Sequence, residues 1–278
     1  MNTQKSVFDD VSLRCSKITT KSYSTSFSLA IKLLNKEYRD AIYSVYGFVR
    51  LADEIVDSFH DYNKKQLLSE LRYSTIEALE KKISLNPIIN SFQKTVKKYN
   101  IEWHLIDSFL ESMEYDLDHN TCSEKTYKKY IAGSAEAVGL MCLQIFSKRG
   151  SIRYEDLEQY ARSLGAAFQK INFLRDLKDD YNNLNRIYFP DLDIKNLTKK
   201  EKKLIEDDIK NDFEHAFIGI KLLNKDAKKG VFLAYKYYIC LFNKIQKTSP
   251  AKILEKRIRV SNMRKIFILI YSQIRFLI

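Results

Sequence analysis

Four aspartates in two separate segments are the residues best placed to do chemistry. Asp53 and Asp57 lie in Arg50-Leu51-Ala52-Asp53-Glu54-Ile55-Val56-Asp57, and Asp176 and Asp180 lie in Asn172-Phe173-Leu174-Arg175-Asp176-Leu177-Lys178-Asp179-Asp180. Within each pair the spacing is i,i+4, so on a helix both carboxylates share one face. Like charges so placed repel. Inside apolar stretches they require a cationic counterpart, and Mg²⁺ held by a few carboxylates together with substrate phosphates meets that requirement.

The neighbours of each pair form a graded stripe. Tyr46, Arg50, Asp53 and Asp57 share one face, flanked by Ile42 and Val49. Gly165, Gln169, Asn172, Asp176 and Asp180 share another, with Phe168, Ile171 and Leu174 nearby. Both run from small or apolar residues to polar ones and then to acids, as the wall of a cavity that is greasy at its base and metal-binding at its mouth would. Gly165 removes a side chain where a ligand needs room. Arg50, Arg175 and Arg186 are candidates for gripping a diphosphate, because the planar guanidinium forks onto phosphate oxygens. Phe27, Tyr46, Tyr188 and Tyr238 are candidates for lining the pocket and for stabilising a carbocation through their ring faces. The competing reading is ordinary: surface ion pairs for the charges and core packing for the rings.

Other chemistries find little support. A di-iron bundle wants paired Glu-x-x-His motifs, and Asp57-x-x-His60 is a single partial match. No Walker loop and no Gly-x-Gly-x-x-Gly occurs. The histidines (60, 104, 119 and 215) have no zinc spacing, and the cysteines (15, 122, 142 and 240) contain no Cys-x-x-Cys and read as reduced thiols.

The elements that must position these groups read as helices. Only 7 Gly and 3 Pro occur in 278 residues, and no breaker lies between Gly47 and Pro87. Helices are expected at 5–33, 36–60, 64–84, 88–99, 102–119, 123–148, 152–184, 198–224, 227–247 and 250–275. Asn35 can cap the second, Thr121-x-x-Glu124 and Thr198-x-x-Glu201 read as capping boxes, and Lys148-Arg149-Gly150 reads as a helix end. The result is one all-α domain over residues 1–278, a bundle with no βαβ alternation.

A net charge of +12 points to anionic partners such as acidic lipid, phosphorylated small molecules or nucleic acid. No apolar run reads as long enough to span a bilayer. The greasy tail 266–278 reads as a core helix, with peripheral membrane contact as the sharper alternative. Residues 191–215 are rich in Lys and Asp and suggest no role.

At this point the chain resembles the squalene/phytoene synthase family, and within it the bacterial phytoene synthases. The resemblance rests on Arg50-x-x-Asp53-Glu54-x-x-Asp57, on Tyr130-Ile-Ala-Gly-Ser-Ala-Glu-Ala-Val-Gly-Leu-Met141, on Leu164-Gly165-Ala-Ala-Phe-Gln169-x-x-Asn172-x-x-Arg175-Asp176-x-x-x-Asp180, and on Arg186-x-Tyr188-x-Pro190. Ser24-Thr-Ser26-Phe27 resembles the family's N-terminal element. Glu54 departs from the Asp frequent beside the first acid.

The resemblance implies an all-α, isoprenoid-synthase-type bundle around a central cavity. It implies head-to-head condensation of two prenyl diphosphates, here two geranylgeranyl diphosphates to phytoene through a cyclopropyl diphosphate, in carotenoid biosynthesis. Asp53, Asp57, Asp176, Asp180 and Asn172 would hold Mg²⁺ or Mn²⁺. Arg50, Arg175 and Arg257 would contact diphosphate, with Ser24 and Ser26 nearby. Phe27, Tyr46, Gln169, Tyr188 and Tyr238 would line the channel, and Val138 and Gly139 would let the prenyl chain pass. The runner-up is a squalene or dehydrosqualene synthase using farnesyl diphosphate, with NADPH needed only for squalene. A third reading, of a different class, is a non-catalytic basic helical protein binding acidic lipid or RNA; the enzyme reading expects no nucleic-acid partner. A cytoplasmic location, peripheral at the inner membrane face, is expected.

Overall fold

The computed structural model describes residues 4–119, 121–148, 153–184, 186–190 and 192–275. They form α1 (Gln4–Tyr23), α2 (Thr25–Lys32), α3 (Lys36–Asp57), α4 (Lys64–Lys81), α5 (Pro87–Tyr99), α6 (Trp103–Asp118), α7 (Glu124–Ile131), α8 (Ala137–Ser147), α9 (Tyr154–Asn183), α10 (Lys199–Leu222), α11 (Lys225–Gln246), α12 (Pro250–Glu255) and α13 (Asn262–Arg275). Among the described residues there is no strand, only an isolated bridge between Thr121 and Ile187. The all-α expectation therefore holds.

Local chemistry sets most helix starts. The side chains of Asn35, Asn63, Asn86 and Asn224 each accept from a backbone N–H of the first turn that follows. Thr198 and Glu201 form the expected reciprocal capping box. The box expected at Thr121 does not form. Ser123 caps α7 instead, accepting from the Thr126 N–H, while Thr121 is drawn into the bridge with Ile187. Arg149 and Gly150, expected at a helix end, lie outside the described residues.

Three expected helices are interrupted. The first breaks at Ser24, whose backbone is extended and whose hydroxyl accepts from Phe27 N–H to start α2. The last breaks between α12 and α13, where Lys256 is extended and Ile258 turns inward to 4% exposure. In the third, a π-helical segment at Ala132–Glu136 joins α7 to α8. A wide turn of this kind carries an extra residue inside a helix and is often found at functional sites.

Glycines explain how the π segment fits. A Cβ on Gly133 would collide with the Ser108 carbonyl on α6, and a Cβ on Gly165 of α9 would lie 2.6 Å from the Ala135 carbonyl oxygen. The room at Gly165 is thus filled by backbone and not reserved for a ligand, which corrects the reading from sequence. Gly139 makes a similar close approach, with a Cβ placed 3.0 Å from the Ala161 carbonyl oxygen.

Two apolar cores flank the centre of the molecule. One gathers residues of α3, α4, α5, α6 and α8, with Phe48 fully buried and stacked on Phe92 at 4.0 Å. The other gathers residues of α7, α9, α10 and α11 and the strap that follows α9, with Phe173 stacked on Tyr188 at 4.2 Å. The run Glu124–Ser147 is long and apolar enough to cross a membrane, contrary to the expectation that no such run exists, but half of its most apolar window is buried against the rest of the bundle. The Lys- and Asp-rich segment acquires a structural role. Lys170 of α9, only 10% exposed at its side chain, pairs with Asp208 and Asp212 and so fastens α10 along α9.

Gly133→Ala tests the packing argument. Helix propensity alone favours Ala by about 1 kcal/mol. A backbone carbonyl cannot swing aside, so overpacking of about 1–3 kcal/mol wins. Urea denaturation is expected to show a net loss of stability, while Lys200→Ala on the exposed face of α10 leaves the midpoint unchanged.

Candidate active site

Between the two cores lies a cavity of about 1040 Å³, larger than most small-molecule pockets. Every residue singled out from the sequence as a site candidate lines it: the four aspartates, Ser24, Ser26 and Phe27, Tyr46 and Arg50, Val138 and Gly139, Gln169, Asn172 and Arg175, and Tyr188, Tyr238 and Arg257. Helices α3 and α9 supply the two acidic stripes, α2 the Ser24–Phe27 element, and α8 the Val138–Gly139 wall.

The acids face one another at one end. Burial and then the Asp57 carboxylate push Asp53 up to about 7, against the opposing pull of Arg50. Burial, then Asp176, then Asp57 across the cavity push Asp180 up to about 8. Carboxyls are held above their ordinary range when negative charge crowds into a poorly solvated place. Charges from α3 and α9 therefore sense each other, as the paired stripes require.

Arginines reach into the cluster and pair with its acids. Arg186, 7% exposed at its side chain, donates from Nη1 to Asp57 at 2.8 Å and lies 3.8 Å from Asp116. Its backbone N–H donates to the Asp180 carbonyl at 2.8 Å, which ties the strap after α9 to the second acidic pair. Arg186 is thus a buried bridge between acids and not a free grip for a ligand. Arg175 pairs with the adjacent Asp176, and Arg257 Nε meets the same carboxylate at 2.7 Å. Arg50 pairs with Glu54 and lies 4.1 Å over the Tyr23 ring. Glu54, read from sequence as a departure beside the first acid, is the residue that orients Arg50.

One acid escaped the sequence reading. Asp116 of α6 accepts from Tyr130 Oη at 2.6 Å and from Tyr188 Oη at 3.1 Å, and burial pushes it up to about 6. It has no i,i+4 acidic partner. Its only signal is an acid on the apolar face that carries Phe109, Leu110 and Met113.

Away from the acids the wall is apolar and aromatic. Phe27 lies 5.8 Å from Tyr46, 6.3 Å from Phe168 and 6.0 Å from Tyr238 between ring centroids, and Phe168 stacks on Tyr238 at 3.8 Å. Tyr238 Oη donates to Asn172 Oδ1 at 3.2 Å, and Asn172 donates to Gln169 Oε1 at 3.4 Å. This chain of amides orients Asn172 beside the second acidic pair. Ser24 serves first as the cap of α2, so its place at the cavity follows from its helix-starting role.

Among the described residues no three His, Cys, Asp or Glu side chains converge closely enough to hold an ion by themselves. The donors present are hard oxygens in opposed pairs, a set that suits a dication completed by ligand oxygens and not a closed zinc or iron site.

Comparison with known proteins adds the family. The squalene/phytoene synthase family model matches residues 20–264. The phytoene synthase of Mycobacterium bovis is 25% identical over 183 residues, covering 64% of this chain and 57% of that protein, so the chain matches little more than half of that relative. The 4,4'-diapophytoene synthase of Staphylococcus haemolyticus is 23% identical over 266 residues, covering 88% of this chain and 90% of that protein. The crystal structure of a dehydrosqualene synthase in complex with ligand superposes with a TM-score of 0.79 at 20% identity, covering 97% of this chain and 98% of that one, and shows the same fold. The chain belongs to the squalene/phytoene synthase family.

Proposed function

We propose that this protein joins two prenyl diphosphates head to head, with two geranylgeranyl diphosphates giving phytoene in carotenoid biosynthesis. The observation that carries the reading is the pair of facing aspartate stripes at one end of an otherwise apolar cavity of about 1040 Å³. A polar end suits diphosphates and a long apolar wall suits prenyl chains.

Asp53, Asp57, Asp176, Asp180 and Asn172 would hold Mg²⁺ or Mn²⁺. The dication would supply charge neutralisation for the departing diphosphate. Arg50, Arg175 and Arg257 are each paired with an acid. These guanidiniums line the cavity beside the acids, where they would meet phosphate oxygens and stabilise negative charge as it develops. Phe27, Tyr46, Phe168 and Tyr238 enclose the region next to the acids, keep water from an allylic cation and present ring faces to it. The first bond would form between that cation and the double bond of the second substrate, and loss of a proton from the resulting cation would close the three-membered ring of a cyclopropyl diphosphate. A second ionisation, rearrangement and proton loss give phytoene without a reductant.

A second reading is favoured by coverage. The diapophytoene synthase and the dehydrosqualene synthase structure match nearly the whole chain. On that reading the substrate is farnesyl diphosphate and the product dehydrosqualene, or squalene if NADPH is used. Purified protein incubated with Mg²⁺ and each prenyl diphosphate, with and without NADPH, separates the readings by the hydrocarbon formed. No hydrocarbon from any substrate defeats both, and leaves the non-catalytic reading.

Asp53→Asn and Asp176→Asn are each expected to lower kcat by about 10³-fold or more. Asp53→Asn removes a repulsive charge, so its melting temperature in the absence of metal is expected to equal or exceed that of the parent. Steady-state assays with Mg²⁺ in excess, beside thermal melts, check both statements. Chelation with EDTA is expected to abolish turnover, and added Mg²⁺ to restore it.

Metal-free protein should also report the crowded acids through pH. In the folded chain Asp53 and Asp180 keep their protons up to about 7 and about 8, whereas the unfolded chain loses them near 3.8. The folded state therefore binds more protons across this window, and stability falls as pH rises through it. Melting temperature is expected to drop from pH 5 to pH 8 in EDTA, and to drop less in an Asp53→Asn/Asp180→Asn variant. Equal slopes for the two proteins would refute the assignment.

A further inference from the structure

We propose that the outer face of α13 docks the protein onto an anionic lipid surface, with the cavity mouth beside the contact. Helix α13 is apolar on two sides. Ile268 and Leu269 pack on Ala30, Leu233 and Tyr237. The opposite side carries Met263, Ile266, Phe267, Ile270 and Tyr271, which are 47–66% exposed. These five recur at spacings of three and four and so form one stripe. Contiguous exposed apolar surface of this kind marks an interaction site, in contrast to the single exposed apolar residues that any protein shows.

Charge identifies the occupant. Residues 250–278 hold seven cations and a single acid, Glu255. Lys252, Lys256, Arg259 and Arg264 are exposed around or just before the stripe. An apolar helix face flanked by Lys and Arg is the arrangement that lies in a headgroup region, the side chains entering the acyl boundary while the cations meet lipid phosphates. A second copy of this chain would bring two strongly basic segments together and incur their repulsion, so self-association is the poorer fit.

Position supports the same occupant. Arg257, Arg259, Asn262 and Lys265, from the link before α13 and its first turn, line the cavity, and Lys265 donates to Thr25 Oγ1 of α2 at 2.6 Å. The first turn of α13, where the stripe starts, therefore borders the cavity. The docking itself stands on this surface alone. Its use, to let long-chain substrates enter from lipid and a hydrocarbon product leave into it, rests on the proposed function.

Vesicle co-sedimentation of the full chain tests the inference. The protein is expected to sediment with phosphatidylcholine vesicles containing phosphatidylglycerol at low salt, to bind pure phosphatidylcholine far less, and to release as salt is raised. Phe267→Ser/Ile270→Ser should weaken association at least about tenfold, because two large side chains no longer enter the interface. Lys256→Glu/Arg264→Glu alters only exposed side chains and should weaken it comparably, which covers the case in which the first variant melts early. Absence of binding at low salt would overturn the proposal. So would binding that both double variants retain in full, or a Phe267-dependent dimer in analytical ultracentrifugation without vesicle association. Turnover of detergent-dispersed substrate is measured in parallel. A chain that binds vesicles as expected but forms no hydrocarbon keeps the docking face and loses the proposed function.

Discussion

The structure depends on keeping several carboxylates together where water is scarce. Crowded acids at the end of an apolar cavity carry both a desolvation cost and mutual repulsion. The fold offsets these with guanidiniums from outside the two acidic stripes as well as within them. Arg186 comes from the strap after α9, and Arg257 comes from the link between α12 and α13. Burial and neighbouring negative charge push Asp53, Asp116 and Asp180 above the ordinary carboxylate range, which shows how far the crowding exceeds what the arginines offset. Elements remote in sequence are thereby drawn to one place by charge, while the two cores on either side supply the rigidity that holds them there.

Much of the site was legible because helices convert spacing into direction. The stripes through Asp53 and Asp57 and through Asp176 and Asp180 were readable from period alone, and both line the cavity. Asn35, Thr198 and Glu201 announced their helix starts by local chemistry that does not depend on the rest of the fold. The resemblance to the family supplied what period could not: it singled out Ser24 at the break before α2, Val138 on α8 and Arg257 in the link before α13, all of which line the cavity.

What was not legible depended on tertiary contacts. Thr121 and Ser123 are equally plausible caps until Ile187 takes Thr121 into a bridge. The π segment is invisible in a run that reads as one helix, since its cause is the approach of α6 and α9 to Gly133 and Gly165. The break before α13 contains neither Gly nor Pro, and reflects the inward turn of Ile258. Asp116 was missed because its partners, Tyr130, Tyr188 and Arg186, come from elsewhere in the chain. The Gly165 reading failed in an instructive way. Missing side-chain volume can admit a ligand or a neighbouring main chain, and only the packing decides which.

That close crossing also limits how the chamber can diverge. Where Gly165 meets Ala135 and Gly139 meets Ala161, its girth is set by peptide groups, which substitution does not trim. A roomier chamber must therefore come from shorter side chains elsewhere along the wall, so the breadth of the chamber is inherited with the backbone and only its remaining contour is open to evolutionary adjustment.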